Sequence, residues 1–120
     1  MKRTFFFSTL FLFMLCQPTI ASAQTTASAT AGMTSKFKVL GNCGMCEKRI
    51  EKAAKIKGVT FADWDVDSKM LTIHFNEKKV TPGKVHQAVA AVGHDTDKVR
   101  ASDKVYAKLH GCCQYERAAN

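Results

Sequence analysis

At 120 residues the chain has room for one ordinary domain and a targeting segment, which excludes a multidomain architecture. Its 18 Lys and Arg against 10 Asp and Glu give a formal net charge of +8, a balance that favours acidic partner surfaces, anionic membranes or nucleic acid without choosing among them. Five cysteines in so short a chain make thiol chemistry the first question.

The N-terminus reads as a secretory signal. Lys2 and Arg3 form a basic start, an apolar run covers residues 5–16, Pro18 follows, and Ala21-Ser22-Ala23 is an A-x-A cleavage site, so residues 1–23 are assigned to a signal peptide cleaved after Ala23. The run is too short for a comfortable membrane span. Acylation of Cys16 as a lipoprotein is disfavoured by the bulky Leu15 where such signals carry a small residue. The expected product is therefore secreted or periplasmic, without stable membrane insertion after cleavage. Loss of Lys2 and Arg3 leaves 16 basic against 10 acidic residues, a net charge of +6. Export argues against a nucleic-acid partner. Residues 24–35 are mostly Thr, Ala, Ser and Gly without periodicity and read as a flexible leader.

The folded unit is expected over residues 36–100. Residues 36–40 alternate, with Phe37 and Val39 on one face and lysines on the other, which predicts a strand. Residues 46–57 place Cys46, Ile50, Ala53, Ala54 and Lys57 at helical spacing, with Gly58 as the stop. Residues 59–66 and 70–75 are two alternating runs around Asp67-Ser68-Lys69 and predict a hairpin with Trp64 in the core. Thr81 as N-cap, Pro82 at the first helical position and the stripe Val85, Ala88, Val89, Val92 predict a second helix that Gly93 ends. A last short strand is expected at 96–100. Strand, helix, strand, strand, helix, strand is the order of an α+β, ferredoxin-like βαββαβ sandwich: an antiparallel sheet with two helices on one face. Right-handed connections then bring Gly93-His94-Asp95 beside the loop after the first strand.

That loop, Gly41-Asn42-Cys43-Gly44-Met45-Cys46, carries two cysteines at C-x-x-C spacing where the first strand meets the first helix. The second cysteine is expected to open the helix, where free N–H groups, the helix dipole and the nearby Lys48 and Arg49 favour a thiolate. Thiolates are soft ligands that select Cu(I), Zn(II) or similarly thiophilic ions, and the carboxylates preferred by Mg and Ca are absent from the loop. Two sulfurs fall short of a tetrahedral structural zinc site. An ion held by so few ligands on an exposed loop is open to attack by another protein's thiolate.

The C-x-x-C at the strand-to-helix junction, the basic amphipathic helix after it and the element order resemble the heavy-metal-associated domains of copper metallochaperones, metal-exporting ATPases and mercuric-transport proteins. The resemblance covers residues 36–100. It implies that Cys43 and Cys46 bind a soft ion, Cu(I) first and Hg(II) second, and exchange it with a metal-transporting membrane protein or an acceptor metal-binding domain, without enzymatic turnover. The chain departs from that family in having Gly41-Asn42 where Met-Thr is usual, with its methionine, Met45, between the cysteines.

Residues 101–120 extend beyond the domain. Ser102 can cap a short helix over 103–109 that carries His110-Gly111-Cys112-Cys113-Gln114 back along the sandwich. A strand of about five residues travels about 16 Å and one or two helical turns recover about 10 Å, so Cys112 and Cys113 can approach the first pair. The candidate metal ligands are thus Cys43, Cys46, Cys112, Cys113 and His94. Met45 is a weak thioether candidate, His110 adjoins the tail cysteines, and His74 and His86 read as outward-facing. Lys48, Arg49, Lys52, Lys55 and Lys57 form a solvated face that can also dock an acidic partner.

Competing readings use the same residues. A structural disulfide suits an exported protein with four mature cysteines, but a loop so short stabilises little. A thiol-disulfide oxidoreductase would use Cys43 and Cys46 as its redox couple, yet the sole proline after the signal, Pro82, is taken up as a helix start. An RNA-recognition module on this fold needs exposed aromatics on the central strands, where the sequence places mainly lysines.

Overall fold

The computed structural model describes residues 32–118; the expected signal peptide and residues 24–31 of the leader lie outside the described residues. Strand β1, Met33–Lys38, is followed by helix α1, Gly44–Ala54, strands β2, Val59–Trp64, and β3, Met70–Phe75, helix α2, Pro82–Ala91, a one-turn helix α3, Asp103–Tyr106, and a 3-10 turn at Gly111–Cys113. The sheet is antiparallel in the order β1-β3-β2. Among the described residues no helix is long and apolar enough to cross a membrane.

Alternation in β1 buries Phe37 and, just beyond the strand, Val39, as their apolar side chains require. The strand starts earlier than the leader boundary implies: Met33, Thr34 and Ser35 pair with Phe75, His74 and Ile73, because the neighbouring β3 is long enough to satisfy their backbone whatever their side chains are. Helix α1 buries Cys46, Ile50 and Ala54 against β2 and α2. Trp64, 2% exposed, anchors this layer, its indole N–H donating to the Val39 carbonyl at 3.1 Å. On the open side of the sheet Phe61, 44% exposed, packs on the outward His74.

Helix α2 ends in a motif that sets up the site. Gly93 takes φ +103°, its N–H bonds the Ala90 carbonyl at 3.0 Å, and the His94 N–H reaches the Val89 carbonyl at 3.4 Å. This pair of closing bonds around a left-handed glycine turns the chain sharply and delivers His94 and Asp95 to the loop before α1. There the Leu40 N–H donates to the Asp95 carbonyl at 2.8 Å.

Two expectations are corrected. The fourth strand at 96–100 is reduced to one bridge, Val39 to Thr96. Local bonds take its backbone instead: the Thr96 hydroxyl accepts from the N–H groups of Lys98 and Val99, and Asp95 Oδ1 accepts from the Ala101 N–H at 2.7 Å. Short polar side chains compete with a ladder in this way. His86, expected on the polar side of α2, is 2% exposed, lying against the Phe37 ring with Nδ1 2.8 Å from Thr96 Oγ1.

Candidate metal centre

Helix α1 begins at Gly44, so Cys43 is its N-cap residue and Cys46 sits one turn into the helix. Cys43 has extended backbone, φ −148° and ψ 173°, which aims its thiol at the open N–H groups of the first turn. The Cys46 N–H, aided by that of Met45, holds the Cys43 thiol down at about 7 against burial, which pushes the other way. Cys46 is fully buried, and burial pushes its thiol up to about 11 although the Asn42 N–H points at its sulfur from 3.3 Å. The thiolate therefore belongs to the first cysteine, the reverse of the expectation from the helix pattern, which placed the helix start at residue 46.

The tail closes over this loop. Cys43 Sγ lies 3.7 Å from Cys46 Sγ, 3.7 Å from Cys112 Sγ and 3.9 Å from Cys113 Sγ, and the two tail sulfurs are 3.9 Å apart. Cys43, Cys112 and Cys113 form a mutual trio, all three sulfurs within 4.8 Å of one another. A triangle with those edges has its centre about 2.2 Å from each sulfur, close to the ~2.3 Å of a metal–thiolate bond. The Cys43–Cys46 pair alone, 3.7 Å apart, is too close for a linear two-sulfur site, which spans about 4.6 Å at the same bond length. All four cysteines among the described residues are free thiols. Met45, 46% exposed, brings Sδ to 3.7 Å from Cys112 Sγ on the outer side.

The remaining sequence candidates fall outside the sulfur trio. His94 is fully buried with Nδ1 2.8 Å from the Leu40 carbonyl, and burial lowers its pKa; its Nε2 has no hydrogen-bond partner. It braces the loop from behind. His110 is exposed and contributes its backbone carbonyl to the Cys113 N–H at 2.7 Å. Arg49, assigned from sequence to a solvated face, is half-buried, and its Nη1 is buried without a partner. Burial pushes the Cys113 thiol up, and the Arg49 guanidinium works in the opposite direction.

Gly41 accounts for the departure from the Met-Thr pattern. A Cβ at this position would stand 3.0 Å from Cys46 Cβ and 3.0 Å from the Trp64 ring, so the indole occupies the space a larger residue would need. Sequence reasoning missed Asn42, whose side-chain amide donates to the Gln114 carbonyl at 3.2 Å and ties the two thiol arms together. It also missed Tyr115 and Arg117, which hold the tail to Gly93 and Asp95 and carry no local motif.

A model of the heavy-metal-associated domain matches residues 42–95. The copper chaperone CopZ of Staphylococcus epidermidis strain RP62A is 35% identical over 66 residues, which cover 52% of this chain and 97% of the relative. The chain belongs to the heavy-metal-associated domain family. Two solved structures share its fold. One is the N-terminal domain of a potential copper-translocating P-type ATPase from Bacillus subtilis, Cu(I)-loaded, with 28% identity and a TM-score of 0.51 over 54% of this chain and 84% of that one. The other is oxidised MerP from Ralstonia metallidurans CH34, with 26% identity and a TM-score of 0.52 over 56% of this chain and 96% of that one. The match to the heavy-metal-associated model ends at residue 95, before Cys112 and Cys113.

Proposed function

We propose that the chain is an exported carrier that binds Cu(I), with Hg(II) and Zn(II) as the other thiophilic candidates, and passes it to a partner protein by thiolate exchange. The observation that carries this reading is the sulfur cluster: three thiols whose spacing matches one soft ion, with the buried Cys46 thiol against Cys43 as a fourth. The copper chaperones and the copper-translocating ATPase domain among its relatives support Cu(I) and an acceptor domain as partner. The A-x-A site after an apolar run supports export to a secreted or periplasmic location.

Capture begins at Cys43, the thiol already near its thiolate at neutral pH, and at the exposed Cys112. Transfer runs the other way. A partner thiolate forms a bond to the ion from the exposed side as one bond to a sulfur of this chain breaks, and the displaced thiolate takes a proton from solvent. No net redox change is involved. Beside the cluster a groove of about 640 Å³ is lined by Met45, Lys48, Arg49, Lys52, Ala53 and Val92, an apolar floor with a basic rim that suits an acidic docking surface.

Titration of Cu(I) into the reduced protein against a competing chelator tests the reading. Tight binding is expected in the wild type and its loss in both Cys43→Ser/Cys46→Ser and Cys112→Ser/Cys113→Ser. Tight binding in neither the wild type nor the variants would overturn it. One observation favours a second reading, a thiol-disulfide oxidoreductase: the thiols of Cys43, at about 7, and Cys46, at about 11, have the asymmetry of an attacking and a resolving cysteine. Catalysed reduction of insulin, without tight Cu(I) binding, would select it.

A further inference from the structure

Cys112 and Cys113 reach the loop at 42–46 because the residues after them are fastened to the domain. Tyr115, 4% exposed, donates its hydroxyl to the Gly93 carbonyl at 2.8 Å and accepts from the Asp95 N–H at 2.7 Å. Arg117 grips the Asp95 carboxylate with two bonds, Nε to Oδ2 at 2.8 Å and Nη2 to Oδ1 at 2.7 Å, both side chains being more than nine-tenths buried. The same guanidinium bonds Asp103 Oδ1 at 2.7 Å and the Ala101 carbonyl, and lies 4.5 Å over the Tyr106 ring. Tyr106 in turn meets Tyr115 edge-on and donates its hydroxyl to the Tyr115 carbonyl. Asp95 is the junction: its backbone carbonyl holds Leu40, three residues before Cys43, and its carboxylate holds Arg117, four residues after Cys113.

We propose that Asp95, Tyr115 and Arg117 are positioning residues, a buried clasp that turns a two-thiolate exchange loop into a three-thiolate seat formed by Cys43, Cys112 and Cys113. The inference rests on the metal-binding reading above. A planar fork that satisfies a buried carboxylate at both oxygens fixes direction as well as distance, which a single contact would not. A bidentate pair inside the fold is screened by salt far less than a surface pair, so the tail is held in place before any metal ion arrives. A pre-set third sulfur raises affinity, because the ordering it requires has been done by the fold. It also slows hand-off, because a partner must displace three sulfurs where a two-sulfur carrier loses two. A three-sulfur seat thus holds its cargo more firmly than a two-sulfur loop while leaving it open to exchange with a partner thiolate.

The test pairs Cu(I) affinity, by chelator competition, with the number of sulfurs on the ion, by X-ray absorption, in the reduced protein carrying Arg117→Leu or Tyr115→Phe. Neither residue supplies a sulfur, so a merely structural role would leave the coordination number unchanged. The wild type is expected to show three sulfurs. Both variants are expected to fall towards two and to lose about 10–100-fold in affinity, the usual cost of removing an outer support of a metal site. Tyr115→Phe keeps the buried ring and removes only the hydroxyl, so it reads the clasp even if Arg117→Leu does not fold. Three sulfurs and unchanged affinity in Tyr115→Phe would overturn the inference, as would two sulfurs in the wild type. Absence of thiolate-bound Cu(I) in the wild type would instead remove the metal-binding reading itself.

Discussion

Cys43 and Cys46 are three positions apart in sequence, yet one thiol is held near 7 and the other pushed to about 11. The difference is one of register. An N-cap side chain faces the free N–H groups of the first turn, whereas a residue one turn in points at the core. His86 makes the same point for a titratable group. Burial lowers its pKa, with Lys98 adding to the effect and Asp97, 3.6 Å away, opposing it. Its folded-state pKa therefore lies below the ordinary value of about 6.5 found in the unfolded chain. Between those two values the unfolded state binds more protons, so stability is fully present above about 6.5 and declines as pH falls towards the folded-state value. The urea midpoint of the metal-free protein is expected to drop from pH 7.5 to pH 5.5, and to drop less in His86→Gln, which keeps a partner for Thr96. His94, also lowered by burial, and the Cys43 thiol, held at about 7, contribute with the same sign to the dependence that remains. An equal decline in wild type and His86→Gln would show that His86 takes up its proton alike in the folded and unfolded states.

At the scale of elements, the junction of β1 and α1 is shaped by what lies beneath it. The Trp64 ring fills the space above β2 up to Gly41, so a side chain at position 41 and the indole at position 64 are alternatives. Gly41→Met is expected to cost about 1–3 kcal/mol by overpacking, and Trp64→Ala about 3–5 kcal/mol by opening a cavity. The double variant should cost less than the two together, with a coupling of about 0.5–3 kcal/mol, because the new methionine enters the vacated space. Urea unfolding of the three variants measures this, and simple additivity would show that the two residues do not share the site. Much at this scale was legible in the sequence. The boundaries of β3 and the Pro82 start of α2 follow from alternation and from a proline that fits only a first turn. The strand at 96–100 was not, because alternation cannot show that Asp95 and Thr96 side chains take the backbone bonds a ladder would need. The C-x-x-C was legible by spacing, and the approach of Cys112 and Cys113 only as a distance they could cover. What fixes them, Tyr115 and Arg117 on Asp95, depends on contacts 20 and 22 residues apart that no local pattern records.

For the molecule as a whole, the extension after residue 101 is part of the domain. Leu109, Cys113 and Tyr115 belong to the same apolar cluster as Ile50, Trp64 and Val89. Gly93 bears on this too, since a Cβ there would stand 2.9 Å from the Leu109 side chain. A glycine that ends α2 by its positive φ thus also admits the tail. Removing residues 102–120 would take away two large side chains that are buried in the core, Leu109 and Tyr115, and with them the burial they contribute to folding. At about 1.5–3 kcal/mol each, that is a loss of roughly 3–6 kcal/mol, taken as an upper bound because the unfolded chain already buries part of this surface. Domains of this kind hold only about 5–15 kcal/mol in total. The truncated chain is therefore expected to unfold at markedly lower urea, while Cys112→Ser, which changes one exposed thiol, should leave the midpoint of the metal-free protein nearly where it was. A truncated chain as stable as the full one would make the tail a passenger, and the sulfur trio would then rest on the ion alone to draw its arms together.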